Sequence, residues 1–350
     1  MPPCVVKYPA GHSRYLKNNT YGDKTRRIPH MPHSRLRRLF PLALAAMLSP
    51  LPALAQDLSP DAQRHIDAAR ASAADLQPTY DFFCVPGNAR PNDFGAPDMT
   101  PTRMFDNLYV LGNAEAVVYV IDTGAGLVLL DAGMPGTGES VLVPGLQALG
   151  LDPADVTAIL LGHGHSDHYG GAVYFHDTYG TRIGTTEADW QTIEADTRTD
   201  AAIKPARDLV ISDGVSLSFG DTEITPVAVP GHTPGALAFI FDVTDNGTPH
   251  TAGMFGGTVL ATAYTPMPGL VQYVASISAY LEVAQAHGVD VEIQNHPIFD
   301  DTPARLAALA ARSPGQPHPF VMGMERYQRF WRIVAECMQA DIITRDASGR

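Results

Sequence analysis

Three histidines and one aspartate crowd into six residues of the stretch Leu160-Leu161-Gly162-His163-Gly164-His165-Ser166-Asp167-His168-Tyr169-Gly170-Gly171, directly after the apolar run Ala158–Leu161. This density of ligand-type side chains is the strongest constraint on the fold: a strand has to deliver its end into a polar cluster. In extended backbone, residues two apart point the same way, so His163 and His165 can grip one ion. A helix starting near Asp167 turns Asp167 and His168 away from that pair and toward a second ion. Imidazole and carboxylate together suit zinc without any thiolate.

Two distant histidines occupy similar strand-then-loop settings. His232 lies in Val229-Pro230-Gly231-His232-Thr233-Pro234-Gly235, after the strand-like run 223–229. His296 lies in Gln294-Asn295-His296-Pro297, after Val291–Ile293. Added to the cluster, they complete two ligand sets. His65, His176, His250, His287 and His318 read as surface or packing residues.

The H-x-H-x-D-H box, the downstream G-H-T-P-G and the upstream Leu129-Leu130-Asp131-Ala132-Gly133 resemble the metallo-β-lactamase superfamily over roughly residues 105–300. The resemblance implies an α/β (α+β) fold, a four-layer αββα sandwich with metals at one edge between two sheets. It implies two Zn2+ per chain: His163, His165 and His232 on the first, and Asp167, His168 and His296 on the second. Asp131 is expected to hold the metal loops. The stretch 253–260 has neither the carboxylate nor the cysteine that mark other branches. With Asn295-His296-Pro297, this is similar to the third subclass of class B β-lactamases. The paired serines of several members are missing there; Thr258 is the candidate replacement at the substrate rim, with Tyr264 beside it. The implied activity is opening of a β-lactam amide by a hydroxide held between the metals, with Asp167 orienting it. Two other readings compete: a same-fold zinc hydrolase of another cyclic amide, lactone or ester, and a non-catalytic periplasmic zinc-binding protein.

Charge narrows the partners. The 350 residues carry a net −13, and beyond residue 55 the balance reaches −21, which disfavours a nucleic-acid groove. A monomer acting on a small molecule, with no permanent membrane anchor, is expected. Residues 31–55 have the basic, apolar and small-x-small order of a signal peptide cleaved after Ala55, so a periplasmic location follows. Residues 1–30 read as a mis-assigned start or an idle leader. Past the signal only Cys84 and Cys337 remain, either joined as a disulfide in an oxidising compartment or buried as separate thiols.

Short strands are expected near 108–111, 116–121, 126–130, 158–161, 209–211, 215–219, 223–229, 236–241 and 291–293. Helices are expected over 61–74, 141–149, 274–286, 303–312 and 324–340, and 80–106 reads as loop. The organisation expected is an N-terminal extension over 56–104, one metal-binding domain over 105–316 and a helical tail over 317–350.

Overall fold

The structure, a computed structural model, describes residues 58–85, 95–258, 262 and 265–349. The leader, the signal segment with its Ala55 cleavage point, and Tyr264 lie outside the described residues.

Strand β3 (Val117–Asp122) shows why the chain must stack in layers. Its residues are buried on both faces: Val117, Tyr119 and Ile121 join one apolar cluster, Val118 and Val120 another. Period-two alternation sends successive side chains to opposite faces, so a strand apolar at every position needs cover on both. β3 sits third in a seven-stranded sheet with β1 (Thr102–Arg103), β2 (Leu108–Gly112), β4 (Leu127–Leu130), β5 (Val156–Leu160), β6 (Arg182–Thr185) and β7 (Leu209–Val210), in sequence order. Pairing is antiparallel from β1 to β4 and parallel from β4 to β7. The second sheet runs β12 (Val291–Ile293), β11 (Thr248–Phe255), β10 (Leu237–Asp245), β9 (Thr222–Ala228), β8 (Leu217–Phe219), with only the β11–β12 pair parallel.

Between the sheets, Val110, Tyr119, Leu130 and Leu160 meet Leu237, Phe239, Met254 and Ile293. On the outer face of the first sheet pack α3 (Val143–Ala148), α5 (Ala172–Tyr179) and α6 (Glu187–Ala195), through Leu146, Phe175 and Trp190. The outer face of the second sheet is covered by α7 (Met267–His287) and α9 (Gly323–Ala347), with α1 (Pro60–Ala73) and α2 (Gln77–Cys84) against α9. The expected αββα sandwich is therefore the observed fold. The short α4 (Ser166–Tyr169) carries Asp167 and His168, and α8 (Thr302–Ala310) follows the His296 loop.

The helix expected over 141–149 divides into a π-helical turn, Gly138–Leu142, and α3. The loop expected over 80–106 begins later, because α2 reaches Cys84. In the span 317–350, Tyr327, Phe330 and Trp331 are buried with Phe255 and Tyr280, so α9 is part of the outer layer. Cys84 and Cys337 face each other with Cα atoms 5.0 Å apart. No helix among the described residues is long and apolar enough to cross a membrane.

Candidate metal centre

All ligand candidates lie where strands end, at one edge shared by the two sheets. β5 delivers His163 and His165 through a short loop, and the turn of α4 then presents Asp167 and His168. From the second sheet, β9 leads into the loop of His232 and β12 into that of His296. The edges approach closely at Gly162, where an added Cβ would stand 2.9 Å from the Gly256 Cα. Only glycine lets the two backbones meet there.

One ligand atom from each of His163, His165 and His232 lies within 4.8 Å of the others, and the same holds for Asp167, His168 and His296. The first three rings stand nearly perpendicular in pairs, with centroids 4.6–4.9 Å apart. In the second set His168 Nε2 lies 3.2 Å from His296 Nε2 and 3.3 Å from Asp167 Oδ2. The sets adjoin: the His163 and His168 centroids are 4.0 Å apart.

Hydrogen bonds fix which ring nitrogens face inward. His163 Nδ1 donates to Gly256 O, His296 Nδ1 to Glu115 O at 2.7 Å, and His168 Nδ1 to Asp131 Oδ2 at 2.7 Å. Carbonyl and carboxylate oxygens only accept, so these Nδ1 atoms carry protons and each Nε2 points into the site. His163 Nε2 and His232 Nδ1 are buried without a hydrogen-bond partner. Buried unpartnered lone pairs are costly, and converging imidazoles with a carboxylate are the donor set zinc takes. The site fits a cation.

Electrostatics lead to the same conclusion. Burial pushes His163, His232 and His296 below the ordinary histidine value, and His165 down to about 4, so all four favour the neutral, ligating form. Burial opposes charge on His168 too, but Asp167 and Asp131 outweigh it and lift it to about 10. Asp167 is also opposed by burial, yet His168 holds it well below the carboxylate range. His168 would release its Nε2 proton on taking up a cation.

Asp131, the residue expected to hold the metal loops, bonds segments that carry ligand candidates of both sets. It adopts a left-handed backbone (φ 64°), which aspartate tolerates better than most residues. Its Oδ1 accepts from Gly162 N at 2.7 Å, and its Oδ2 accepts from His168 and from Asn295 Nδ2. Asn295 donates to Gly256 O as well, the carbonyl that also receives His163 Nδ1. The sequence reading quoted Asn295 only as part of a motif; nothing in the spacing signals this link. It also missed Asp189, an ordinary acid in the first turn of α6, which accepts from the loops of both His163 and His232.

Thr258 corrects an expectation. It is fully buried, and its hydroxyl bonds Gln294 Oε1 at 2.8 Å, so it forms no part of a substrate rim. Among the described residues, the other histidines pack or lie at the surface: His65 on Glu336, His176 on Thr181 O, His250 on Asp290, His318 on Met104 O, and His287 exposed in the last turn of α7.

Among known families, residues 112–245 match the metallo-beta-lactamase superfamily. A subclass B3 metallo-beta-lactamase of Bradyrhizobium japonicum superposes with a TM-score of 0.62 and 26% identity, over 73% of this chain and 98% of that one. A metallo-beta-lactamase from Legionella gormanii shares the fold at a TM-score of 0.57 and 22% identity, over 73% of this chain and 97% of its own. Among curated proteins, a hydroxyacylglutathione hydrolase of Acidiphilium cryptum is 30% identical over 105 residues, which is 26% of this chain and 39% of that protein. The chain thus spans about two fifths of the length of such curated relatives.

Proposed function

From the premise that this chain carries a metallo-beta-lactamase superfamily hydrolase domain, we propose that it is a di-zinc β-lactamase opening the strained amide of a β-lactam. The observation that carries this reading is the make-up of the second ligand set. His296 closes it beside Asp167 and His168, while Gly256-Gly257-Thr258, after β11, offers no carboxylate. The structural likeness to the subclass B3 enzyme of Bradyrhizobium japonicum supports it.

His163, His165 and His232 would hold one zinc, and Asp167, His168 and His296 the other. Bound zinc supplies Lewis acidity and lowers the pKa of water toward neutrality, so that hydroxide is available at pH 7. The chain's own residues do the rest. The Gly256 and Glu115 carbonyls and Asp131 keep three imidazoles in the ligating tautomer. Asp167 would be the set's one oxygen ligand, and its carboxylate would orient the attacking water. Asp167 is thus the catalytic residue of this scheme. It needs no acyl-enzyme, and so no nucleophilic serine.

A second reading has its own support. The curated relatives are hydroxyacylglutathione hydrolases, so another carbonyl substrate (a thioester, lactone or different cyclic amide) is the alternative. In either case the protein would act as an exported, periplasmic monomer on a small molecule. The juxtaposed Cys84 and Cys337 support that location, because an oxidising compartment would join them.

The deciding experiment compares turnover of nitrocefin and a carbapenem with that of hydroxyacylglutathione and a lactone panel, with and without a chelator. Chelator-sensitive β-lactam hydrolysis, lost in His163→Ala and His232→Ala, is expected. Faster turnover of the thioester or a lactone would transfer the assignment to the second reading. A zinc-loaded protein inert to the whole panel would leave a non-catalytic zinc binder.

A further inference from the structure

Helix α6 begins at Thr186, whose hydroxyl accepts from Asp189 N and donates to Gly235 O at 2.8 Å. An acid at this third helical position ordinarily turns back onto its own N-cap amide. Asp189 commits both oxygens elsewhere. Fully buried, its Oδ2 accepts from Gly164 N at 2.9 Å and from the Thr233 hydroxyl at 2.8 Å, and its Oδ1 from Gly235 N at 3.0 Å. Gly164 separates His163 from His165, and Thr233 follows His232. One carboxylate therefore ties the loop after β5 to the loop after β9, the two loops that bear the first ligand set. The helix is seated directly on the first loop: a Cβ on Gly164 would lie 3.0 Å from Asp189 O and 3.1 Å from Thr192 Cβ.

We propose that Asp189 is the positioning residue of the His163–His165–His232 set, holding its two loops at the separation one ion requires. Asp131 bonds His168 of the second set and also Gly162 beside His163, and Asn295 bonds Asp131 and the Gly256 carbonyl, so neither singles out one set as Asp189 does. This inference rests on the zinc-centre reading above. Groups that orient metal ligands from outside the coordination sphere typically alter metal affinity about 10- to 100-fold when removed.

The test measures zinc affinity by competition with a chromophoric chelator, with circular dichroism as the check on folding. In a His296→Ala background, where only the first set is complete, Asp189→Asn is expected to weaken the remaining ion by roughly tenfold or more. In a His232→Ala background, where only the second set is complete, the same change is expected to leave the remaining ion's affinity unaltered. Unchanged affinity in the first background overturns the proposal, and so do equal losses in both, which would mean general loosening. Should Asp189→Asn fail to fold, Thr233→Val removes one of the three bonds; a loss confined to the His296→Ala background supports the proposal, and no loss there overturns it. A wild-type chain that takes up no zinc overturns the underlying reading as well, and the wild-type titration identifies that case.

Discussion

At the level of single residues, the site is built on nitrogen atoms kept unprotonated by burial. That has a consequence for acid stability of the metal-free protein. His165 titrates at about 4 when folded against an ordinary 6.5, and burial lowers His163, His232 and His296 as well. Between those two values the unfolded chain binds protons that the folded chain refuses, so stability falls as pH drops from 6.5 through 4. His168 is raised, so its contribution is already complete below 6.5; Asp167 is lowered, so its own persists above 3.8. Neither offsets the loss across this window; the buried carboxyls of Glu292, Asp300 and Asp189, raised by burial, oppose it in part, three groups against four. Chelator-treated protein should accordingly melt at a lower temperature at pH 4.5 than at pH 6.5, as differential scanning fluorimetry would show. An unchanged midpoint would mean these rings are hydrated and not buried.

Among the strands that lead into ligand loops, β12 is the shortest, launching His296 from only three residues. It is moored by a buried ion cluster: Arg305 of α8 bonds Glu292 Oε2 at 2.8 Å and Asp300 Oδ2 at 2.5 Å, and its guanidinium lies 4.1 Å from the Phe320 ring centroid. Burial, and then Asp300, pushes Glu292 up to about 8 even with this partner. Arg305→Met would leave Glu292 and Asp300 buried without their cationic hydrogen-bond partner, a loss expected to cost about 3–5 kcal/mol in urea unfolding. On the proposed zinc reading, it should also weaken the ion held by His296. The contrast with the metal ligands shows what a sequence discloses. Ligand spacing was legible in the H-x-H-x-D-H box because a strand end and one helical turn place neighbouring residues predictably. Asp189 and Asn295 were not, since their partners come from segments far away in the chain; Arg305 bonds Asp300 and Glu292, 5 and 13 residues back, a pairing set by how the loop before α8 folds. Strand β11 escaped for a local reason: Pro249, His250 and Gly253 break the apolar alternation, and neighbouring strands supply its stability. Thr258 is assigned to the rim because it stands in the stretch where family members carry paired serines, and that position says nothing about its inward turn onto Gln294.

Considered as a whole molecule, the αββα layering followed from the family motifs, but the dependence on the last helix did not. Tyr327, Phe330, Trp331, Val334 and Cys337 of α9 fill the cluster under the second sheet's outer face, against α1, α2 and α7. Emptying a buried aromatic site alone costs about 3–5 kcal/mol, and a whole domain is stable by only about 5–15 kcal/mol. Deleting residues 317–350 should therefore abolish the cooperative thermal transition; a truncated chain that still melts cooperatively would show that the layer closes without α9. The ligand-bearing loops hang from both sheets, those after β5 on one and those after β9 and β12 on the other. A pair of ions lodged there would act as a clasp across the seam of the sandwich. Starving the protein of zinc would then do more than silence it: that margin would be free to gape, inviting proteases at the very place where substrate should enter.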